Sequence, residues 1–305
     1  MTGTIIRPDA TVVLLAHEPG TREVETMELI RRQRYPGAIL VNVIDSSPDP
    51  TGLFNRALRE GADAWEAIPP HSFGHGSTRN RGLDACDTDV VVYLSQDAHP
   101  AGESWLSTLV EPLADGRAEA SYGRQMSPED DPEREGTYRF LYPEEAEIKT
   151  KGRIRELGLR TFHFSDVSSA FLTEILRTVR FPTDISTFED VGIAKRLLDL
   201  GHRIAYVPQA SVWHVHRLGV REMVKRYRDI GAIYERLGIF DELRRAGRGS
   251  LIAEGLRAAR SVAPTAAASQ ERGSFGRLAA PSLVGGVKIA AVALGRWEAR
   301  LGSIA

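Results

Sequence analysis

Cysteine occurs once, at Cys86, which excludes an intramolecular disulfide framework and a cysteine-built metal cluster. Neither sign of charge is in excess. The chain carries 39 Lys and Arg against 41 Asp and Glu, a formal charge of −2, and this speaks against a nucleic-acid-coating protein. Long hydrophobic runs are also lacking. The longest, SLVGGVKIAAVALGRW (Ser282–Trp297), contains Lys288 and two adjacent glycines and falls short of the roughly 20 residues needed to cross a bilayer. The opening MTGTIIRPDATVVLLAHEPG has no basic start, long apolar middle or small-residue cleavage site, so no secretory signal is read there. These absences predict a soluble, cytoplasmic protein. What is present is ordinary: 305 residues, 42% hydrophobic and 26% charged, enough for one large α/β domain or two smaller ones.

The first two-thirds alternate strand and helix signals. TVVLLAH (Thr11–His17), ILVNVIDSS (Ile39–Ser47) and VVVYL (Val90–Leu94) are continuous apolar runs of the kind buried on both faces of a parallel sheet. Between them, Val24, Met27, Leu29, Ile30 and Tyr35 recur at near-helical spacing up to Pro36–Gly37, and short helices are predicted over Phe54–Gly61 and Arg79–Cys86. The pattern predicts a doubly wound α/β sandwich, in which ligands bind beyond the carboxyl ends of the strands. Residues 127–147 interrupt it with eight acidic residues and three prolines, and read as a surface loop. Alternation resumes at Thr161–Leu172, followed by a helix with the stripe Val191, Ile193, Ala194, Leu197 and Leu198, capped at Gly201, and by the strand RIAYVP. From about residue 217 the chain turns helical. Val220, Met223, Val224, Tyr227, Ile230, Tyr234 and Leu237 form an amphipathic stripe, and Arg217–Arg260 holds eleven basic against six acidic residues. A linker is expected over 262–282 and a last helix over Val284–Leu301. The predicted organisation is an α/β catalytic domain over 1–216 and a helical region over 217–305.

Four constellations carry chemical potential. Ser95-Gln96-Asp97 follows a buried strand, where one carboxylate can hold a hard divalent cation against a diphosphate, or simply cap a turn. Phe188-Glu189-Asp190 opens a helix. Acidic residues there complement the helix dipole, and a carboxylate turned to a cleft can also serve as a general base. Trp213-His214-Val215-His216 places two histidines on one side of a strand, as metal ligands or as structural residues. FGHGSTRNRG (Phe73–Gly82) has glycines that permit close backbone approach, with Arg79 at an expected helix start that suits phosphate. It is neither a Walker loop nor a GxGxxG fingerprint.

Taken in order along the chain, these residues resemble the family-two inverting glycosyltransferases of GT-A fold, in particular the bacterial rhamnosyltransferase branch. The resemblance is carried by Asp45 in VIDSS, TRNRG (Thr78–Gly82), SQDAHP (Ser95–Pro100) with Trp105-Leu106, YGRQMSP (Tyr122–Pro128), SDVSSAF (Ser165–Phe171), FEDVGIAKR and KRYRDIG (Lys225–Gly231). It implies a nucleotide-binding, Rossmann-like, mostly parallel sheet with a C-terminal helical extension. It further implies that Asp45 bonds the pyrimidine ring and that Arg79 and Asn80 lie near the ribose or diphosphate. His17, Glu18, Ser95, Gln96 and Asp166 complete the donor-facing set. Asp97 matches the last aspartate of the DxD metal motif, with Ser95 in the first position, and His214 matches a second ligand for Mg²⁺ or Mn²⁺. Asp190, beside Glu189, matches the catalytic base.

The chemistry is coherent on its own terms. Breaking a sugar–diphosphate bond requires charge stabilisation on the leaving diphosphate, and the attacking hydroxyl must lose a proton to a base on the other side of the sugar. The implied function is transfer of L-rhamnose from dTDP-L-rhamnose to a cell-surface glycan, free or lipid-linked, at the inner face of the membrane. The same fold with a UDP-hexose or UDP-galactofuranose donor, a nucleotidyl transferase, and a nucleotide-sugar-binding protein without turnover are the competing expectations.

Overall fold

The computed structural model describes residues 8–127, 139–214, 219–248 and 279–302. These fall into two compact units. The first takes in the described residues within Met1–Ser127, Glu144–Lys151 and His163–Val215. The second takes in those within Pro128–Pro143, Gly152–Phe162 and His216–Ala305.

The first unit is built on one sheet. Its strands are β1 (Ala10–Ala16), β2 (Ile39–Asp45), β3 (Ala64–Ala67), β4 (Val90–Ser95), β5 (His99–Pro100), β6 (Ala120–Met126), β7 (Glu147–Lys149), β8 (Ser168–Leu172) and β9 (Ile204–Trp213). Their spatial order is β3-β2-β1-β4-β8-β6-β9-β5, with β7 also on β9. β1, β2 and β4 run parallel, as their apolar runs predict, and β3, which no apolar run marks, runs parallel to β2. β8 is antiparallel to both β4 and β6, and β5 and β7 are antiparallel to β9, so the sheet is mixed beyond β4. Helices α1 (Thr21–Arg31), α2 (Leu53–Gly61), α3 (His75–Asp84) and α4 (Trp105–Ala114) connect the amino-terminal strands. The core sits where Val12, Leu14, Val41, Val43, Val90 and Val92 of the sheet meet Met27, Ile30, Leu106, Leu109 and Val110 of the helices. Burying each such side chain contributes about 1.5–3 kcal/mol.

Several boundaries differ from the sequence reading. α1 ends at Arg31 rather than near Pro36, because Tyr35 turns away to donate its hydroxyl to the Pro8 carbonyl at 2.5 Å. α3 begins at His75, four residues before Arg79, with Gly74 as its N-cap. The acidic segment 127–147, read as a loop, ends in β7; its residues 128–138 lie outside the described set. Thr161–Leu172 is strand only from Ser168.

α5 (Arg139–Leu141) and α6 (Ile154–Leu157) belong to the second unit. α7 (Thr173–Val179) and α8 (Glu189–Asp199) belong to the first. The second unit continues with α9 (Val220–Arg236), α10 (Ile239–Arg245) and α11 (Ala279–Gly302). α11 starts inside the segment expected to be linker. It crosses α9 at two glycines: a Cβ on Gly295 would stand 1.8 Å from the Arg228 carbonyl oxygen, and one on Gly231 would stand 2.1 Å from that of Val292. Ion pairs Arg228–Glu298, Arg296–Glu235 and Arg300–Glu235 fasten the crossing. On α11, Leu294, Trp297 and Leu301 are exposed at 44, 58 and 47% and share one helix side. Among the described residues, no helix is long and apolar enough to cross a membrane.

Candidate active site

β1, β2 and β4 end level with one another, with Leu15 beside Ser95 and Ala16 beside Asp45, so the residues after them gather along one edge. Asp45 is almost fully buried. Its Oδ1 accepts the Ser47 N–H at 2.8 Å and its Oδ2 accepts from Asn55 Nδ2 at 2.6 Å. His17 Nδ1 lies 3.1 Å from the Ser46 carbonyl. Glu18 has φ +46°, in the left-handed region, and donates its backbone N–H to Ser47 Oγ at 2.8 Å. Gln96 clips the turn to β1, accepting from the His17 N–H at 2.7 Å and donating to the His17 carbonyl at 3.1 Å. Ser95 donates its N–H to the Val167 carbonyl at 3.0 Å. This ties the end of β4 to the segment that carries Asp166.

Two of the four constellations meet at a possible cation position. Asp97 Oδ1 lies 3.4 Å from His214 Nε2. Neighbouring ligands on a cation with bonds of about 2.1 Å stand roughly 3.0–3.4 Å apart, so the pair fits a shared divalent ion. His214 is buried, and its Nδ1 lies 2.9 Å from Gln125 Oε1 while Gln125 Nε2 donates to Ser165 Oγ at 2.6 Å. An amide oxygen accepts, so Nδ1 donates to Gln125 and the ring is held with Nε2 toward Asp97. Gln125 owes its place to an irregularity in the β6–β9 pairing between Gly123 and Gln125. There the backbone closes until a Cβ on Gly123 would lie 2.0 Å from the Ala210 carbonyl oxygen, a space that only glycine fits. Among the described residues no three His, Cys, Asp or Glu side chains form a metal cluster, and Asp97 with His214 is a two-residue pair.

The second centre surrounds Arg79. The helix reaches back to His75, so Arg79 lies in its second turn, only 7% exposed, rather than at a free helix start. Its Nη1 donates to Glu189 Oε1 at 2.5 Å, and its Nε lies 3.4 Å from Asp166 Oδ2. The Tyr93 hydroxyl donates to the Arg79 carbonyl at 2.9 Å, and the guanidinium lies over the Phe181 ring at 5.7 Å. Asn80, expected near the ribose, is engaged by Phe181 on both sides: Nδ2 donates to its carbonyl at 3.0 Å and Oδ1 accepts its N–H at 3.0 Å. Phe188 precedes the acid pair at φ 63°, a left-handed conformation that costs a bulky residue about 1–3 kcal/mol. Asp190 Oδ1 accepts the Val191 N–H at 2.8 Å.

Burial and the neighbouring negative charges push the Asp190 carboxyl well above the usual range. Burial pushes Asp166 up to about 7, Arg79 opposing and Glu189 adding to it. Burial disfavours the charge on Arg79, but Asp166, Glu189 and Asp190 outweigh that and hold the guanidinium protonated. His75 Nδ1 lies 3.9 Å from Glu189 Oε1, and burial lowers its affinity for a proton. His75, Gln125 and Asn55 were not singled out from sequence. The first two sit inside quoted motifs, but nothing in their spacing marks them.

Parallel strands that end level along one edge, with a histidine–carboxylate pair and an acidic centre around Arg79 beyond them, belong to a sheet of GT-A glycosyltransferase type. The solved mannosyltransferase PcManGT from Pyrobaculum calidifontis, in complex with GDP-Man and Mn²⁺, shares the fold. Its TM-score is 0.63 at 21% identity, over 96% of this chain and 88% of that one. The S. aureus TarS 1–349 complex with UDP-GlcNAc is similar at a TM-score of 0.56 and 14% identity, over 96% and 92%. A family profile described as "Glycosyl transferase family 2" matches residues 24–180, and the chain belongs to that family of glycosyltransferases. The O-antigen chain rhamnosyltransferase WbaN of Salmonella anatum is 30% identical over 231 residues, 74% of this chain and 72% of that protein. RfbN of Salmonella typhimurium, with the same description, is 29% identical over 229 residues, 73% of this chain and 72% of that protein.

Proposed function

We propose that this glycosyltransferase moves L-rhamnose from dTDP-L-rhamnose to a hydroxyl of a cell-surface glycan, with inversion, at the cytoplasmic face of a membrane. The observation that carries the reaction is the division of labour in the acid pair. Glu189 is taken up by Arg79 at 2.5 Å, whereas among the described residues Asp190 has only its neighbour's N–H, on one oxygen. A carboxylate with raised proton affinity is suited to accept the proton of an attacking hydroxyl, since a base near the working pH transfers protons best. The rhamnosyl donor is supported by the likeness to two O-antigen chain rhamnosyltransferases.

Asp97 and His214 would hold a divalent cation, which supplies charge neutralisation for the departing diphosphate. Gln125 fixes the ring of His214 so that Nε2 is presented. Asp45, with Asn55 and Ser47, shapes the place of the pyrimidine ring, and His17, Glu18, Ser95 and Gln96 form the turns around it. The membrane part of the reading is supported by the basic surplus within Arg217–Arg260 and by the exposed Leu294, Trp297 and Leu301.

The test is a panel of nucleotide sugars, with Mg²⁺ or Mn²⁺, read as binding and slow hydrolysis. dTDP-L-rhamnose alone should respond. A response confined to UDP sugars would move the donor assignment to a hexose or galactofuranose, and binding without turnover of any donor or acceptor would leave a binding protein.

A further inference from the structure

Arg79 is the most enclosed cation of the first unit's acidic centre. Its guanidinium is held from two sides by groups that come from different parts of the chain, Asp166 ahead of β8 and Glu189 at the start of α8. The cage is completed by Phe181, Asn80 and Tyr93. Phe181 lies against the guanidinium, Asn80 grips the Phe181 backbone, and Tyr93 fixes the Arg79 carbonyl. Arg79 Nε and Asp166 Oδ2 are buried without a hydrogen-bond partner of good geometry, although they lie 3.4 Å apart. This is an ion pair held by packing rather than a fork reaching outward. A guanidinium recruited to a diphosphate would leave two buried carboxylates uncompensated, at a cost of several kcal/mol.

We propose that Arg79 is a positioning residue, not a donor contact: clamped between Asp166 and Glu189, it holds the acid pair oriented and ionisable for Asp190. The inference rests on the transferase reading of Asp190 and deepens it. Three carboxylates, Asp166, Glu189 and Asp190, share one cation. Among the described residues, the other titratable groups nearest the cluster are His75 from α3 and Tyr93 from β4. With His75 and Tyr93 neutral, full ionisation would leave two uncompensated negative charges, so each carboxylate resists the ionisation of the others. Burial, Glu189 and Asp166 raise the proton affinity of Asp190, and Arg79 lowers it. Removing Arg79 and removing the charge of Asp166 must therefore move Asp190 in opposite directions.

The experiment is carbon-13 detection of labelled aspartate carboxyls in the full chain across pH, with the Asp190 signal identified by its loss in Asp190→Asn. In Arg79→Met the titration midpoint of Asp190 should move up, by about tenfold or more in proton affinity. Asp166→Asn, which keeps the shape, should move it down. Arg79→Lys, which keeps the charge but not the fork, should fall between the wild type and Arg79→Met. The low-pH limb of any pH–rate profile should follow the same order. Affinity for dTDP with Mn²⁺, read by calorimetry, should stay within about threefold in Arg79→Met, less than the 1.4 kcal/mol that a tenfold change represents. An unmoved midpoint in both Arg79→Met and Asp166→Asn would overturn the proposal. So would a tenfold or greater loss of dTDP affinity in Arg79→Met with the midpoint in place. If Arg79→Met does not fold, Asp166→Asn decides alone: a lowered midpoint supports the clamp and an unmoved one refutes it. A wild-type chain that fails to bind dTDP would sink the donor assignment and leave the carboxyl titration still readable.

Discussion

Asp190→Asn and Glu189→Gln should fail in different ways, although the residues are adjacent. At Asp190 the Val191 N–H bond at 2.8 Å can be kept by the asparagine carbonyl, so the start of α8 should survive. What is lost is the ability to take up a proton. The loss of general-base catalysis costs roughly 10²–10⁴ in turnover, which is about 3–5 kcal/mol of barrier. Affinity for dTDP should barely change, and the melting temperature should hold or rise, because a half-buried carboxyl crowded by other acids has been removed. Glu189→Gln instead breaks the shorter of the two Arg79 ion pairs, at side chains 8–9% exposed. Removing one partner of a buried pair costs about 3–5 kcal/mol, and the low end applies because Asp166 still faces the guanidinium. Urea unfolding of both variants alongside single-turnover transfer of labelled sugar separates the two effects. Near-normal transfer by Asp190→Asn, or a Glu189→Gln chain as stable as wild type, would refute the division of labour.

Asp97→Ala should weaken dTDP binding in Mn²⁺ by about tenfold or more, and leave it unchanged in chelator. Gln125→Leu should reproduce a weaker form of the same pattern through His214, and equal losses in both conditions would make the pair structural. Asp166 should also mark stability against pH. The folded chain holds its proton up to about pH 7 whereas its ordinary value is 3.8, so its contribution is full below about 4 and is lost as pH rises through 7. Urea midpoints of wild type should fall across that window and flatten in Asp166→Asn; identical slopes would remove Asp166 from the balance. Flotation with anionic liposomes should be salt-sensitive and reduced when Lys225, Arg226, Arg244 and Arg245 are neutralised together, each contributing about 1 kcal/mol near the surface. Binding that ignores those charges but is lost in Trp297→Glu would assign the contact to α11 instead.

The parallel half of the sheet was legible because β1, β2 and β4 are buried on both faces and therefore read as unbroken apolar runs. β3, β5 and β7 were not, since two to four residues carry no period, and the reversal of β8 leaves no mark in SSAFL. The acid pair and the Asp97–His214 pair were visible as residues, but their partners were not. Arg79 illustrates why. The sequence reads it as the first residue of a helix, a place that suits phosphate; the helix begins instead at His75, so Arg79 lies in its second turn, buried against Asp166 and Glu189. Gln125 depends on a pairing irregularity at Gly123, which is a property of two strands together and not of either sequence.

The glycine crossing of α9 and α11 makes the two helices mesh like keyed gears. With carbonyl oxygens at Arg228 and Val292 occupying the space of the missing side chains, sliding either helix by one residue would drive a Cβ into backbone. The rotational phase of α11 is therefore fixed by Gly295, two positions before Trp297. One residue inserted between them would swing Trp297 and Leu301 by about 100° around the axis while leaving Leu294 where it is. A continuous greasy edge would become two disjoint halves with no change in composition. The indole would then be turned off the side it now shares with Leu294, and its fluorescence would report the turn.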